Sequence, residues 1–334
     1  MAKKVKKYVY NLEKSIYLIS TSTIVGKKEG EGPISKYFDT VAVDDTFGQE
    51  SYEKAERRMM EEAIFSCIQN AGKEESDVDL IIGGDLLNQL VTTSYSARKF
   101  NVPFIGVYAA CSTMSESYAI GSMLLESGGF NNILCVTSSH FSTSERQFRT
   151  PLELGAQRQT YSQWTVTGSG CGMLSTSGIG PKITKVCFGK VTDYGVKDIA
   201  NMGAAMAPAA YSTLTTFLDE TNTSPNDYDL IVTGDLGKLG SDILRDLMKK
   251  HGMPLGQNYT DCGHMIYSSE QKTFQGGSGA GCSASVFNSY IYDKLKNKEF
   301  KKVIFMATGA LMSTTTNQQG DSIPAISHLV MFEA

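Results

Sequence analysis

The chain has 334 residues, enough for two domains of ordinary size or one large α/β unit. Hydrophobic residues make up 41% of it, charged residues 20%, and the net charge is −4, which excludes the basic surface typical of nucleic-acid-binding proteins. No apolar stretch approaches the roughly 20 residues of a membrane span, and seven cysteines without CxxC spacing favour a reducing compartment over a disulfide framework or a structural zinc site.

The first predicted elements are a basic start, a strand and a glycine-rich loop. The lysines of residues 3–7 precede Tyr8-Val9-Tyr10 instead of a long apolar core, so they do not form a secretory signal. A solvated N-terminus and a weak contact with a membrane surface both remain open. Loose alternation predicts a strand over 15–25. Residues 26–33 lack the Gly-Lys-Ser/Thr ending of a phosphate-binding loop, so we expect a surface loop there.

A helix and a strand come next. Ser51 is a plausible N-cap and Gly72 a plausible C′ residue, and an apolar stripe between them predicts a helix packed on the core. The apolar run 79–84 then predicts a buried strand, and Asp85 follows its end.

Cys111 lies at a predicted strand-to-helix turn. The apolar run 102–108 predicts a buried strand and residues 114–127 predict a helix. Thr113 and Glu116 have the spacing of a capping box, so the start of the helix should lie close to the thiol. The free N–H groups and the helix dipole there would stabilise a thiolate or another anion. The plainer interpretation of a lone cysteine is a small buried side chain.

A third strand is predicted over 131–139, with His140 just beyond it. Strands alternate with helices, so we predict an α/β fold with parallel strands. Ligands gather at the carboxyl ends of such strands, where Asp85, Cys111 and His140 would fall. Residues 145–151 read as a polar, arginine-containing loop. Residues 168–172 read as a glycine-rich strand against which another backbone packs closely.

The second half of the chain repeats the first. Three segments have counterparts in the same order: 79–86 with 229–236, 108–114 with 279–285, and 131–139 with 301–309. We therefore predict two related halves, residues 1–178 and 179–334, which meet near 176–181. Pseudo-symmetric packing would bring the carboxyl ends of both sheets, and both cysteine-bearing helix starts, towards one cleft.

Two such halves, with a cysteine at the start of a central helix in the first, resemble the thiolase and ketoacyl-synthase superfamily. The resemblance implies a thiolase-like α/β fold of two pseudo-symmetric αβαβα halves with mixed, largely parallel central sheets. It also implies that the cysteine can serve as an acyl-accepting nucleophile, with histidine and asparagine, or two histidines, supplied largely by the second half.

A closer resemblance covers nearly the whole chain and points to the stage V sporulation protein AD family. The stretches that carry it are residues 28–33, 84–89, 110–113, 138–140, 145–149, 163–168, 206–210, 233–237 and 318–324. The resemblance implies a thiolase-like protein of endospore-forming bacteria that binds dipicolinic acid. It further implies that the protein works with integral membrane partners in moving calcium dipicolinate into the developing spore.

The machinery of a condensing enzyme looks incomplete in this sequence. Where such an enzyme would carry its histidine and asparagine, this chain has Gly234-Asp235 and Gly281-Cys282. A carboxylate there would raise the pKa of the cysteine and would donate nothing to an oxyanion. His264 and His328 are alternatives, although a structural histidine is the plainer interpretation of each. We therefore predict a binding protein and not an enzyme; a condensing enzyme that uses Cys111 as its nucleophile, and a scaffold with a vestigial cleft, are the alternatives.

Dipicolinate carries two carboxylates beside a pyridine nitrogen, so its site should offer donors, positive potential and a flat apolar face. Helix starts could supply N–H donors, Arg146 or Arg149 a bidentate contact, and Trp164 or Tyr161 a cover for the ring. The predicted ligand-binding residues are Cys111, His140, Arg149, Trp164, Asp235 and Cys282.

No cofactor is expected. Asp85 and Asp235 are isolated carboxylates without EF-hand spacing, so we expect no protein-held metal, and calcium would arrive as the chelate of the ligand. The expected partners are dipicolinic acid, integral membrane subunits of a transport machine and a second copy of the chain, but not nucleic acid. The chain should be soluble, on the cytoplasmic side, and peripherally associated with the forespore membrane.

Overall fold

The structure is a computed structural model that describes residues 2–148 and 158–334. Its strands, in chain order, are β1 (Lys3–Lys4), β2 (Val9–Val25), β3 (Thr40–Val41), β4 (Leu80–Gly84), β5 (Phe104–Gly106), β6 (Asn132–Ser139), β7 (Trp164–Thr165), β8 (Gly168–Ser175), β9 (Lys182–Cys187), β10 (Leu230–Thr233), β11 (Tyr259–Asp261), β12 (Gly277–Ser278), β13 (Lys302–Ala310) and β14 (Ala325–Glu333).

The helices are α1 (Lys27–Gly30), α2 (Tyr52–Asn70), α3 (Val91–Ala97), α4 (Thr113–Ser127), α5 (Phe141–Phe148), α6 (Met202–Thr221), α7 (Gly237–Lys250), α8 (Cys262–Ile266), α9 (Ala280–Val286), α10 (Tyr292–Lys296) and α11 (Thr314–Gln318). A π-helical turn, Phe287–Ile291, joins α9 to α10. None of the helices within the described ranges is both long and apolar enough to cross a membrane.

One path of hydrogen-bonded strands runs through the molecule in the order β11-β10-β13-β14-β9-β2-β8-β6-β4-β5. The outer pairs, such as β4 with β5 and β10 with β11, are parallel, and the central pairs are antiparallel. The long strand β2 pairs with β9 along its first part and with β8 along its remainder. The two sheets expected from the sequence are thus connected by hydrogen bonds through β2.

Helices cover both outer faces and also fill the space between the two groups of strands. Helix α2 packs on β2, β6 and β8, and α6 packs on β13 and β14. Helix α4 contacts β4 and β6 of the first group and β13 and β14 of the second, so it lies between them. Its fully buried Tyr118 packs edge-on against Phe287, Phe305 and Phe332. This layering is the mixed α/β architecture that the sequence predicts.

The glycines of β8 allow α9 to pack against it. A Cβ atom on Gly170 would lie 2.4 Å from the carbonyl oxygen of Ala284 in α9, closer than real Cβ contacts allow. The glycine-rich strand therefore serves the close backbone approach that we expected from its sequence.

Several predicted boundaries match the structure. Ser51 is the N-cap of α2 and accepts a hydrogen bond from the Lys54 amide, and Gly72 follows the helix with φ 62°. The repeated segments form equivalent strands, β4 with β10 and β6 with β13. The interpretation of residues 26–33 as a surface loop is wrong in part, because α1 forms within it and Glu29 is buried.

A candidate binding cavity at Cys111

A cavity opens at the carboxyl ends of the strands, where the two groups of strands meet. A water-sized sphere can occupy about 40 Å³ of it, which is well below the roughly 300–1,000 Å³ typical of ligand sites, so a ring-sized ligand requires wall side chains to move apart. Its described wall is mainly apolar with a few polar groups: Leu86, Tyr108, Ala110, Cys111, Ser144, Glu145, Phe148, Thr165, Met202, Ser278, Gly279, Ala310 and Met312. Both halves of the chain contribute to this wall.

Cys111 sits in a 3₁₀ turn, Ala110–Ser112, immediately before α4. Ala110 has a φ of 49°, which is strained for a residue with a Cβ atom. Thr113 supports the turn: its hydroxyl donates to the Ala110 carbonyl (2.6 Å) and accepts from the Ala109 amide (3.1 Å). The Thr113–Glu116 capping box is therefore wrong, although α4 does begin two residues after Cys111.

The turn also rests against the second half of the chain. A Cβ atom on Gly309 of β13 would lie 2.0 Å from the Ala109 carbonyl oxygen, so only glycine lets the turn approach this strand. The hydroxyl of Ser112 donates to the Ala307 carbonyl of the same strand at 2.8 Å. These contacts fix the position of the thiol relative to the second half.

Asp235 lies behind the thiol. Its carboxyl group accepts hydrogen bonds from the Ser278 hydroxyl (2.8 Å), the Thr308 hydroxyl (2.8 Å) and, more weakly, the Gly279 amide (3.3 Å). The Ser278 hydroxyl is in turn 3.9 Å from the Cys111 sulfur. The structure thus brings together Cys111 and Asp235, as the pseudo-symmetry of the sequence predicts.

This arrangement disfavours a thiolate. Burial raises the pKa of the Cys111 thiol well above its usual value, and the negative charge and hydrogen bonding of Asp235 raise it further. Burial also raises the pKa of Asp235, to about 7. The raised pKa of the thiol is the opposite of the activation that we expected from the start of α4.

Ser144 and Glu145 are wall residues that the sequence analysis did not identify as site residues. Residues 141–148 form α5, so the predicted polar loop is wrong as far as Phe148. Ser144 is 3% exposed and lines the cavity, and its hydroxyl oxygen has no hydrogen-bond partner in the described structure.

Glu145 forms an ion pair with Arg158 (3.0 Å) and accepts from the Thr165 hydroxyl (3.1 Å). The one sequence signal that could have suggested Ser144 and Glu145 is their spacing of about one helical turn from His140.

The other predicted site residues are not in the described wall. His140 is buried beside Tyr52, with Nε2 2.7 Å from the Asp45 carbonyl and Nδ1 accepting from the Ser142 amide. Burial lowers the pKa of His140. Cys282 is buried in the core and its thiol donates to the Gly234 carbonyl. Arg149 lies outside the described residues.

Trp164 lies beside the cavity, one residue from Thr165 in its wall. Its ring stacks on Phe141 at 4.1 Å, and the side chains of Lys28 and Arg158 lie over it at 4.4 and 5.0 Å. The Trp164 ring is therefore already in contact with Phe141, Lys28 and Arg158.

Neither alternative histidine reaches the thiol's cavity. His264 is exposed on α8 and lines a different surface depression. His328 is buried, accepts from the Gly189 amide at 3.3 Å, and burial lowers its pKa to about 4. A histidine that could activate Cys111 is thus missing from the described wall of the cavity.

A sequence profile of the family described as stage V sporulation protein AD matches residues 6–333. The chain belongs to the stage V sporulation protein AD family. It is 42% identical over 327 residues to stage V sporulation protein AD of Bacillus subtilis (strain 168), a match that covers 98% of this chain and 97% of that protein. The family assignment of the sequence analysis is confirmed.

Solved structures with the same fold are acyl-transferring enzymes of low sequence identity. The chain is similar to 3-oxoacyl-[acyl-carrier-protein] synthase III from Aquifex aeolicus VF5, with 14% identity and a TM-score of 0.58 over 96% of this chain and all of that one. It is also similar to acetyl-CoA acetyltransferase from Syntrophomonas wolfei, with 10% identity, a TM-score of 0.63 and the same coverage. These likenesses confirm the thiolase-like fold of this stage V sporulation protein AD family member.

Proposed function

We propose that this member of the stage V sporulation protein AD family binds dipicolinate in the Cys111 cavity without chemical conversion. It would act with integral membrane subunits in moving dipicolinate into the developing endospore. The observation that carries the proposal is the pairing of a shaped, largely apolar cavity with a thiol that Asp235 and burial keep protonated. Such a cavity can hold a ring-sized ligand once its wall side chains move apart, and its protonated thiol is poorly equipped to attack that ligand.

The wall chemistry suits a flat heteroaromatic ligand with polar edges. Leu86, Phe148 and Met312 offer apolar surface for a ring face. The Ser144 hydroxyl, which has no hydrogen-bond partner in the described structure, offers a directional hydrogen bond to a carboxylate oxygen, whereas the Ser278 hydroxyl already donates to Asp235. Arg149 remains a proposed contact. Trp164 is not part of the described wall, so it could contact the ligand only from behind that wall. We leave His140 and Cys282 out of the proposed site, because the structure places them elsewhere.

Isothermal titration of the purified chain with pyridine-2,6-dicarboxylate, with and without Ca²⁺, tests this function, with benzoate as the control ligand. A cavity-filling variant, Ala310→Trp, should abolish saturable binding, because Ala310 is a buried wall residue. Val43→Trp, at a position that is 88% exposed, is the matched control and should bind like the original chain. Circular dichroism establishes that both variants fold.

A condensing enzyme is the second candidate, favoured by the strained turn that presents Cys111 and by the fold of its structural relatives. It requires acylation of the thiol. Incubation with acetyl-CoA followed by intact-mass spectrometry should show no thioester adduct; a stoichiometric adduct that Cys111→Ser removes would replace the binding proposal with the enzymatic one. Failure of both ligands to bind would favour a scaffold with a vestigial cleft.

A homodimer is part of the proposal. In the described part of the sheet, β5 is a terminal strand that pairs only with β4. Apolar side chains on and beside it are exposed, including Ile105 and Tyr108 (each 42%) and Tyr95 of α3. Unpaired edges with apolar surface favour pairing with another chain.

Peripheral association with the forespore membrane also remains a proposal, with the exposed lysines of residues 3–7 as its candidate surface.

A further inference from the structure

The hairpin formed by β1 and the start of β2 carries a cluster of exposed lysines. Lys4 pairs with Tyr10 across the two strands, and the Val5 amide donates to the Val9 carbonyl at 2.8 Å. All four lysines of this hairpin are exposed: Lys3, Lys4, Lys6 and Lys7. Four positive charges are therefore held close together by a hydrogen-bonded turn.

The last turn of α6 anchors this hairpin. The carboxylate of Glu220 accepts hydrogen bonds from the backbone amides of residues 7, 8 and 9, at 3.0, 2.9 and 2.9 Å. The ammonium group of Lys6 donates to the Asp219 carbonyl at 3.1 Å. Because Glu220 binds the backbone, substitution of the other lysine side chains leaves its three hydrogen bonds in place.

A fifth lysine reaches the hairpin from the loop that follows β9. The ammonium nitrogens of Lys190 and Lys7 lie 4.6 and 5.0 Å from the centroid of the same ring, that of Tyr8. Val191, the next residue in the loop, is 57% exposed, and Val5 in the hairpin is 37% exposed. We call these residues the basic patch: Lys3, Lys4, Val5, Lys6, Lys7, Lys190 and Val191.

Little negative charge balances the basic patch. Among its lysines, only Lys3 forms an ion pair within the described part of the chain, with Glu13. The other four lie over tyrosine rings or bind the Asp219 carbonyl. The chain as a whole has a net charge of −4, so the patch is opposite in sign to the molecule that carries it. An anionic partner would meet largely uncompensated ammonium groups there.

We propose that the basic patch docks this chain on a membrane surface rich in anionic phospholipids, an inference that rests on the proposed function for its place of action. Clusters of about four to eight basic residues are attracted to anionic headgroups. The tyrosine rings and exposed valines beside the lysines suit the interfacial layer of a bilayer, which accepts amphipathic rings and apolar side chains. This combination favours a lipid surface over an acidic protein segment. The docking is electrostatic and reversible, and it holds the chain beside the membrane subunits with which it would act.

Sedimentation of the full chain with lipid vesicles tests the docking directly. The chain should bind vesicles of phosphatidylcholine with about 30% phosphatidylglycerol at least about 10-fold more tightly than vesicles of phosphatidylcholine alone. Because salt screens exposed charges, raising NaCl from about 0.1 M to about 0.5 M should weaken this binding several-fold.

Removing three charges from the patch should remove most of the affinity. Each lysine near an anionic surface strengthens binding about 5-fold, so Lys4→Gln/Lys7→Gln/Lys190→Gln should bind about 100-fold more weakly. The variant keeps the hydrogen bonds between Glu220 and the hairpin backbone.

The matched control removes three exposed lysines of α7, which lie outside the patch: Lys238→Gln/Lys249→Gln/Lys250→Gln. It changes the net charge of the chain by the same amount and should bind nearly as tightly as the original chain. Circular dichroism establishes that both triple variants fold.

The exposed valines give a second readout, which salt does not remove. Val5→Ser/Val191→Ser should weaken vesicle binding several-fold at both salt concentrations, because the burial of apolar surface is not screened. Val43→Ser/Ile179→Ser replaces two apolar side chains outside the patch, 88% and 94% exposed, and should leave the binding unchanged.

The outcomes separate this inference from the proposed function. If the chain binds neither kind of vesicle, or binds both equally, the inference is wrong, whether or not dipicolinate binds. Unchanged affinity in the variant without three patch lysines would overturn it as well. Binding of poly-glutamate in place of vesicles would assign the patch to an acidic protein segment and would also overturn it. If the vesicles bind as expected and dipicolinate does not, the proposed function fails while the docking stands.

Discussion

The carboxyl group of Asp235 lies next to the Cys111 thiol but outside the described cavity wall. It accepts a hydrogen bond from the hydroxyl of Ser278, which is a wall residue. Nucleophilic cysteines are activated by cations, bases or helix termini, which lower their pKa. Here burial and a carboxyl group raise the pKa instead. In this chain the fold thus places its cysteine where burial and a carboxyl group raise the pKa of the thiol.

Replacing Asp235 by Asn should make Cys111 more reactive. The pKa of Asp235 is about 7, so above that pH the original side chain is ionised and suppresses the thiolate, whereas Asn cannot. We expect Asp235→Asn to be alkylated by iodoacetamide several-fold faster than the original chain at about pH 8.5, with little difference at about pH 6. Site-resolved mass spectrometry measures the rate at Cys111, and Cys111→Ser gives the background. An unchanged or slower rate would contradict the electrostatic account.

Removing the Ser144 hydroxyl should weaken ligand binding without affecting the fold. A hydrogen bond of ordinary strength contributes roughly 0.5–1.5 kcal/mol, so the dissociation constant of the calcium chelate should rise about 2- to 10-fold in Ser144→Ala. The hydroxyl has no partner in the described structure, so thermal stability should not fall. Ser122→Ala serves as the control with unchanged affinity. Equal affinity in the two variants would place the ligand away from α5.

Introducing a charge on the β5 edge should separate the two copies. Ile105 lies on this terminal strand and is 42% exposed, so Ile105→Asp would bury a carboxylate in the proposed interface. Light scattering at micromolar concentration should show a dimer for the original chain and a monomer for the variant. Val43→Asp, at an 88% exposed position that follows β3 in the chain and is not part of β5, should remain dimeric. A monomeric original chain would refute the homodimer.

Stability should fall as the pH rises, because several buried carboxyl groups prefer to be protonated in the folded protein. Burial and the nearby charge of Asp85 raise the pKa of Glu56 to about 8, from 4.5 in the unfolded chain. Its stabilising contribution is therefore complete below pH 4.5 and is lost as the pH rises to about 8. Each unit of pKa shift corresponds to about 1.4 kcal/mol.

Glu56→Gln should flatten this dependence, since the amide does not titrate. Urea unfolding at about pH 5 and about pH 8.5 should show a loss of unfolding free energy that is smaller in the variant by about 1 kcal/mol or more. Glu29 and Asp235, whose pKa values burial raises to about 7, continue to contribute in both proteins. An identical loss in both would mean that Glu56 titrates normally.

The sequence predicts much of this fold because its signals are local or repeated. The internal repeat identifies β4 with β10 and predicts that the carboxyl ends of both groups of strands share one cleft, where the structure has Cys111 and Asp235. Ser51 and Gly72 delimit α2 through backbone chemistry that requires no tertiary information. The boundary between residues 178 and 179 remains a prediction, as does dimerisation.

The cavity wall was harder to predict, since side-chain direction is set by packing. His140 follows β6 as expected, but its ring turns towards Tyr52 and the Asp45 carbonyl. Cys282 is equivalent in sequence to Cys111, yet it packs in the core next to the Gly234 carbonyl. Ser144 and Glu145 reach the cavity because residues after His140 form a helix, whereas their polar composition suggested a loop.

The most direct test of the account is a crystal structure of the chain soaked with, or grown in, calcium pyridine-2,6-dicarboxylate. The account predicts the ligand in the Cys111 cavity, with its ring beside Leu86, Phe148 and Met312 and with no bond to the Cys111 sulfur. A ligand bound at another surface, or an acyl group attached to the Cys111 sulfur, would contradict it.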